Sequence, residues 1–267
     1  MLNQDHLNQS AYSRPDSLRW YEGMEGFCDP GERAVWWKVM DKVRGEPLLD
    51  LGVGAGRTVP LLRALSDRYT AIDYLPEMVA RVQRRYPSID VSVGDARDLS
   101  RFPDHSFAMV TFSFNGIDSI DHAGRRLVLA EAHRVLRPGG LLWFSTLNQQ
   151  GPSHRERPWR PRPPREMGGR RAYPLVALRS IWRFPRALAN LRRARDLREA
   201  GEGWDISALS AHDYGMMVHY TTLGRQLAEL AELGFTSGID VVGSDGSPVG
   251  PRTELSRVAW FQILAQR

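Results

Sequence analysis

The sequence is poor in cysteine and in lysine. One cysteine, Cys28, stands among 267 residues, so no internal disulfide can form and nothing supports an oxidising compartment. Lysine occurs only at Lys38 and Lys42 among 36 basic residues, so nearly all positive charge is arginine. Long apolar runs are missing too. Ala34–Trp37 and Leu141–Phe144 are typical and far too short to span a bilayer, and the polar opening Met1–Arg14 holds no stretch for a signal peptide. The expected location is therefore the cytoplasm. Neither a metal-ligand spacing nor a Ser/His/Asp arrangement stands out, so no metal is expected. What remains is ordinary globular composition, 42% apolar and 25% charged, in a length that suits one large α/β domain or one domain with an inserted lid.

The charge is unevenly placed. Between His154 and Arg198 fourteen arginines face Glu156, Glu166 and Asp196, a segment of +11 in a chain of net +5, so the remainder carries −6. Clustering of this kind asks for a partner or a solvated face.

No internal repeat is present, and the opening to about Phe27 has little periodicity. Asp29-Pro30-Gly31-Glu32 then reads as a helix start, with Asp29 as cap and Glu32 as the capping-box acid. That helix carries Val35, Trp36, Val39, Met40 and Val43 inward and stops at Gly45. From Pro47 strands and helices alternate. Strands are expected at Leu48–Leu51, Tyr69–Asp73, Ile89–Val93, Phe107–Ser113 and Leu141–Thr146, and helices at Arg57–Ser66, Pro76–Tyr86 and His122–Leu136. Short apolar strands separated by helices imply a parallel sheet covered on both faces, with right-handed crossovers. The alternation breaks at Asn148. A Pro/Arg-rich stretch, Pro158–Pro164, favours polyproline II, and a helical pattern follows through Leu178, Ile181, Trp182, Leu188 and Leu191, which Pro185 is expected to kink or split. Thr222–Leu233 resumes the pattern as a helix, with strands at Ile239–Val242 and Val258–Leu264. Residues 148–220 are thus an insertion between 1–147 and 221–267, two parts of one domain.

A strand, a glycine-rich turn and a helix make an anion and nucleotide site, because glycine admits close backbone approach and the helix start presents free amides. The loop reads Gly52-x-Gly54-x-Gly56. The third glycine of a dinucleotide fingerprint is replaced by Arg57, and no Gly-Lys-Ser/Thr follows, so neither the dinucleotide nor the P-loop pattern fits.

The run Leu49-Asp50-Leu51-Gly52-Val53-Gly54-Ala55-Gly56 resembles the first motif of class I S-adenosylmethionine-dependent methyltransferases. Asp73 ends the second strand, Val93-Gly94-Asp95-Ala96 follows the third, Phe112-Ser113-Phe114-Asn115 ends the fourth, and His133–Gly140 looks like that family's turn into its fifth strand. The resemblance covers about Pro47–Leu147 well and the last forty-five residues loosely. It implies a Rossmann-like α/β fold with a mostly parallel seven-stranded sheet, and S-adenosylmethionine as cofactor. By the same resemblance Gly52, Gly54 and Gly56 approach the cofactor, and Asp50 holds its methionine amino end, often through water. Asp73 takes the ribose hydroxyls, Asp95 the adenine amino group with the Ala96 amide near the ring, and Phe114 and Asn115 line the methionine side. Trp20 and Tyr21 close over it.

Methyl transfer needs a positioned acceptor and, for an amine or phenol, removal of a proton. Candidate bases are His122, His154, His212, His219, Tyr214 and Tyr220. His219 and Tyr220 are preferred for the acceptor side because they precede the helix after the insertion, whereas His133 reads as structural. The expected acceptor is a small molecule, as in secondary metabolism, methylated on O or N. The insertion reads first as a helical lid whose apolar stripe (Leu178, Ile181, Trp182, Leu188) covers the acceptor. An RNA-binding arm using Trp159, Tyr173 and Trp182, an amphipathic element on anionic membrane, and a solvated charged helix pair compete with it. Phe114-Asn115-Gly116-Ile117 lacks the Asn-Pro-Pro-aromatic signature of many base methyltransferases, which counts against nucleic acid. A non-catalytic S-adenosylmethionine-binding protein is the other class of function left open.

Overall fold

The computed structural model describes residues 3–159 and 173–267. Part of the Pro/Arg-rich stretch, 160–164, lies outside the described residues. Seven strands form the main sheet: β1 (Leu48–Leu51), β2 (Tyr69–Asp73), β3 (Asp90–Val93), β4 (Phe107–Phe112), β5 (Leu136–Leu147), β9 (Ser237–Gly243) and β10 (Trp260–Gln266). Their order is β3-β2-β1-β4-β5-β10-β9. The first five run parallel, and β10 is antiparallel to both β5 and β9.

Helices cover both faces, and β1 shows why. Its four residues are all buried. Leu49 and Leu51 face a core shared with Val128, Leu129 and Ala132 of α6 (His122–Val135) and Leu230 of α8 (Leu223–Glu232). Leu48 faces the opposite core, with Val35 and Val39 of α3 (Pro30–Val39), Leu62 of α4 (Val59–Leu65), and Val79 and Val82 of α5 (Pro76–Arg85). A strand with apolar partners on both sides is what a parallel sheet demands. Helix starts follow local chemistry. Asp29 and Glu32 form the expected capping box on α3, Asp121 caps α6 through the Gly124 amide, and Thr222 caps α8; each cap satisfies amides that a helix start otherwise leaves free.

The insertion departs from the sequence expectation. It contains a long helix, α7 (Tyr173–Arg193), which runs through Pro185 as one element. It also contains three antiparallel strands, β6 (Glu199–Gly201), β7 (Trp204–Leu209) and β8 (Met216–Thr221). The expected helical lid is therefore helix plus sheet, and His219 and Tyr220 lie inside a strand. Trp204, Ile206 and Ala208 alternate onto one face of β7 with Met217 of β8 and Leu7, a period of two that buries a small separate core. Among the described residues no helix is long and apolar enough to cross a membrane.

The N-terminal helices α1 (Gln4–Tyr12) and α2 (Pro15–Glu22) join the two sheets. Asn8 is fully buried. Its amide nitrogen donates to Ser119 O (2.8 Å) and Met217 O (2.7 Å), and its oxygen accepts from the Met217 amide (3.0 Å). Gln4 donates to the same two carbonyls. Replacing Asn8 by Ala strands a buried amide and buried carbonyl capacity, at about 1–3 kcal/mol for an unsatisfied group. Asn8→Ala is therefore expected to lower the unfolding free energy in urea by about 2–3 kcal/mol, whereas Ser10→Ala, on the exposed side of the same helix, stays within about 0.5 kcal/mol.

Candidate functional site

A cavity opens at the carboxyl ends of β1, β2, β3 and β4, where strand order reverses between β1 and β4. That is the crevice in which open α/β sheets bind ligands. Its floor is Gly52–Ala55 after β1, Asp73–Leu75 after β2, Gly94–Arg97 after β3, and Phe112–Phe114 with Gly116 after β4; Asp5, Tyr12 and Tyr21 of α1 and α2 roof it. About 1030 Å³ of empty space lies within it, part of it open to solvent. That is room for a ligand the size of a nucleoside joined to an amino acid.

The glycine loop is built by three residues with positive φ, Gly52, Gly54 and Gly56. At Gly52 a Cβ would sit 2.5 Å from the Phe112 ring, so glycine is a packing requirement there. At Gly54 nothing lies within 4 Å of a Cβ position; that space belongs to the cavity. Gly56 faces Tyr86 and Val82 and shapes the loop from behind without lining the cavity. Asp73 accepts from the Gly54 amide (2.8 Å) and the Leu75 amide (2.9 Å). Burial outweighs those two bonds and pushes its carboxyl up to about 6. Asp50 lies under the loop, fully buried and off the cavity wall, accepting from Thr58 Oγ1 (2.6 Å) and Tyr69 OH (2.8 Å). Its Oδ1 has no partner among the described residues.

Two arginines that the sequence reading did not single out as site residues shape the walls. Arg57, in the place of the missing third glycine, is buried in a two-pronged pair with Glu32 (2.6 and 2.8 Å). It also donates to Ser113 Oγ (2.9 Å) and stacks on the Phe114 ring at 4.8 Å. Arg97 grips Asp95 through Nε and a terminal nitrogen, and reaches Asp5 of α1 at 2.8 Å. Burial pulls the Asp95 carboxyl up, but the Arg97 hydrogen bonds prevail and hold it below its ordinary value. Phe114 and Asn115 both have left-handed backbone, a strained choice for a non-glycine pair of the kind concentrated at functional sites. Phe114 lines the cavity. Asn115 does not line the cavity; its backbone N–H donates to Ser145 Oγ at 2.6 Å, and its buried side-chain Oδ1 has no partner among the described residues. Ala96 and Tyr21 line the cavity; Trp20, half-exposed, packs edge-on against Tyr21 and lies 6.1 Å from Phe114 at the mouth.

The preferred acceptor-side residues are elsewhere. His219 is buried, with Nε2 3.1 Å from His122 Nδ1, in a stack in which His122 lies 3.9 Å from Trp204. Burial drives its imidazole well below the ordinary value. Tyr220 packs with Leu147 and Val218, edge-on to His154. Neither side chain lines the cavity, because successive residues of β8 point into the packing on its two faces. His154 pairs with Asp205 (2.9 Å), and His133 sits edge-on to Phe235. His212 alone among these histidines packs against a cavity-lining ring, Tyr12 (6.3 Å), with Nδ1 3.2 Å from Ser17 Oγ of α2. Its backbone, with Asp213 and Tyr214, forms three successive left-handed residues. The stripe expected to cover the acceptor does not do so: Leu178, Ile181 and Trp182 are exposed. The roof comes instead from α1 and α2, whose sequence has little periodicity.

Fold and cavity together define a doubly wound α/β protein built to bind a nucleoside-like ligand at its switch point. Residues 48–140 match a family described as "Methyltransferase domain". A probable S-adenosylmethionine-dependent methyltransferase of Mycolicibacterium smegmatis is 31% identical over 115 residues, 43% of each chain. A demethylmenaquinone methyltransferase of Renibacterium salmoninarum is 36% identical over 100 residues, 38% of this chain and 40% of that one. The chain spans less than half the length of these two curated relatives. Among solved structures, the 1,6-didemethyltoxoflavin-N1-methyltransferase of Burkholderia thailandensis shares the fold at TM-score 0.57 and 15% identity, over 100% of this chain and 92% of that one. A Thermotoga maritima protein described as a possible histamine N-methyltransferase does so at TM-score 0.56 and 14% identity, over 98% of both chains. Segment 48–140 is thus similar to S-adenosylmethionine-dependent methyltransferases, and the rest of the chain shares their fold.

The two glycines of the loop are separable by stability. Gly52→Ala forces a Cβ into Phe112 as well as a strained φ, and is expected to cost about 3 kcal/mol or more. Gly54→Ala meets no atom and is expected to cost only the backbone strain, about 1–2 kcal/mol. Thermal melts of both variants check the order.

Proposed function

We propose that this chain transfers a methyl group from S-adenosylmethionine to an O or N atom of a small-molecule acceptor. The observation that carries the reading is the pair of carboxylates, Asp73 and Asp95, on separate loops at either side of the open space beside Gly54. The residues present fit the cofactor. Gly54 leaves backbone bare to it, Asp73 retains acceptor capacity that suits the ribose hydroxyls, and Asp95 with the Ala96 amide, both in the cavity wall, suits the adenine edge. The unpartnered Oδ1 of Asp50, buried beneath the loop, suits a water that bridges toward the methionine amino end. When bound, the cofactor supplies a methyl on a sulfonium, with a neutral thioether as leaving group. The protein orients the acceptor and excludes water beneath Tyr12, Tyr21 and Trp20, and orientation of this kind is worth about 7–11 kcal/mol at best. Small acceptors appear in the names of several relatives and neighbours, among them demethylmenaquinone and a toxoflavin precursor, which supports a small molecule here.

His212 is proposed as the acceptor's base because, without lining the cavity itself, it packs against the lining ring of Tyr12. It abuts the roof of the cavity, and burial lowers its pKa, so at neutral pH the imidazole is uncharged and able to accept. His212→Ala is expected to lower turnover about tenfold or more and to leave the affinity for S-adenosylhomocysteine within about twofold. Steady-state kinetics with any active acceptor, paired with calorimetry, separate the two effects.

Cofactor binding should follow the Asp73 proton. Its carboxyl titrates near 6 in the folded chain against 3.8 ordinarily. The ionised form, which accepts from ribose, thus prevails above about 6 and is lost as pH falls through it. The affinity for S-adenosylhomocysteine is expected to be flat from pH 7 to 8 and to fall below pH 6. Asp73→Asn should weaken it about ten- to hundredfold at pH 7.5 and abolish the fall. Wild-type affinity in Asp73→Asn would overturn the assignment.

A further inference from the structure

Helix α7 holds five arginines and no acidic residue in 21 positions. At about 100° per residue, Leu178, Ile181 and Trp182 share one face, and Ala187 falls on the opposite one. Ala187 is buried, while Leu178, Ile181 and Trp182 are 56%, 69% and 82% exposed. The helix is fastened on the Ala187 side. Asn190 Nδ2 donates to Asp213 O (2.9 Å), Arg183 pairs with the Asp213 carboxylate, and Arg186 lies 3.6 Å from it. The apolar stripe therefore points away from the protein, with partly exposed Arg183 and Arg186 along its flank.

Three large apolar side chains at helical spacing are not left in water without a partner. The charges say which partner. Helix α7 carries five arginines and no acidic residue, in a chain whose His154–Arg198 segment sums to +11 and whose remainder sums to −6, so an anionic surface attracts this helix more than the rest of the chain. A second copy would set one acid-free arginine helix against another. RNA would satisfy the arginines and stack Trp182, but Leu178 and Ile181 offer a base nothing to stack on. An anionic bilayer satisfies all of them: the apolar stripe enters the acyl boundary, Trp182 sits at headgroup level, and guanidinium groups pair with lipid phosphates.

We propose that α7 lies in the surface plane of a membrane containing anionic lipid, with Leu178, Ile181 and Trp182 buried in it. The test is flotation of the whole chain with vesicles of phosphatidylcholine alone and of phosphatidylcholine mixed with phosphatidylglycerol. The wild type is expected to float with the mixed vesicles, to stay in solution with phosphatidylcholine alone, and to dissociate progressively as salt rises. The triple variant Leu178→Ser/Ile181→Ser/Trp182→Ser is expected to lose vesicle affinity about tenfold or more with an unchanged melting temperature, since none of the three packs on the core. Failure of the wild type to float at low salt overturns the proposal, as does equal flotation of the triple variant. Dimerisation that the triple variant abolishes, or salt-sensitive RNA binding, overturns it where either occurs without flotation.

Discussion

The site rests on one carboxylate. Asp73, at the end of β2, accepts from the backbone of Gly54 and of Leu75. The first bond ties the loop after β1 to the loop after β2 and holds Gly54 in its left-handed turn. The second turns the chain toward α5. Both neighbouring strands are buried and paired in register, Leu51 opposite Ile72, so the two loops leave the sheet side by side and the carboxylate needs to span only the gap between them. Low polarity around Asp73 makes these bonds strong and at the same time raises the cost of its charge. A ligand that brings hydroxyl donors relieves that cost.

The fold was legible in the sequence because its signals are local. β1 and β4 are short apolar runs and β2 and β3 are short β-branched ones, each crossover helix begins at a proline or a capping residue, and the glycine loop falls between the first strand and the first crossover. The site was legible as far as it sits on those loops: Gly52, Gly54, Asp73, Asp95, Ala96 and Phe114 all reach the cavity. What the sequence hid depends on contacts between distant segments. Asp5 and Tyr12 reach the cavity only because Asn8 and Gln4 bind β8, more than 200 residues away, and no periodicity announces that. The sheet of the insertion is built of short strands next to a stronger helical pattern, and only Trp204, Ile206 and Ala208 alternate clearly. His219 and Tyr220 were placed by their distance from the next helix, a measure that carries no information on which way a strand residue points. Asp50 and Asn115 lie within the motif, yet neither lines the cavity.

Charge and burial divide the molecule into two regimes. Around the cavity, arginines are neutralised at short range, Arg57 by Glu32 and Arg97 by Asp95 and Asp5, so the cavity wall carries structure more than net charge. In the insertion they outnumber acids fourteen to three between His154 and Arg198, so a net positive charge is left to act at a distance. The same residue type thus fixes geometry in one place and sets a long-range field in the other.

The grip of Asn8 has a kinetic meaning. Its side chain holds a turn of the main domain and a strand of the insertion simultaneously, so the helix above the cavity cannot lift from one without letting go of the other. Any opening of the cavity by movement of α1 must break the bonds of two amides, Gln4 and Asn8, that do not line it.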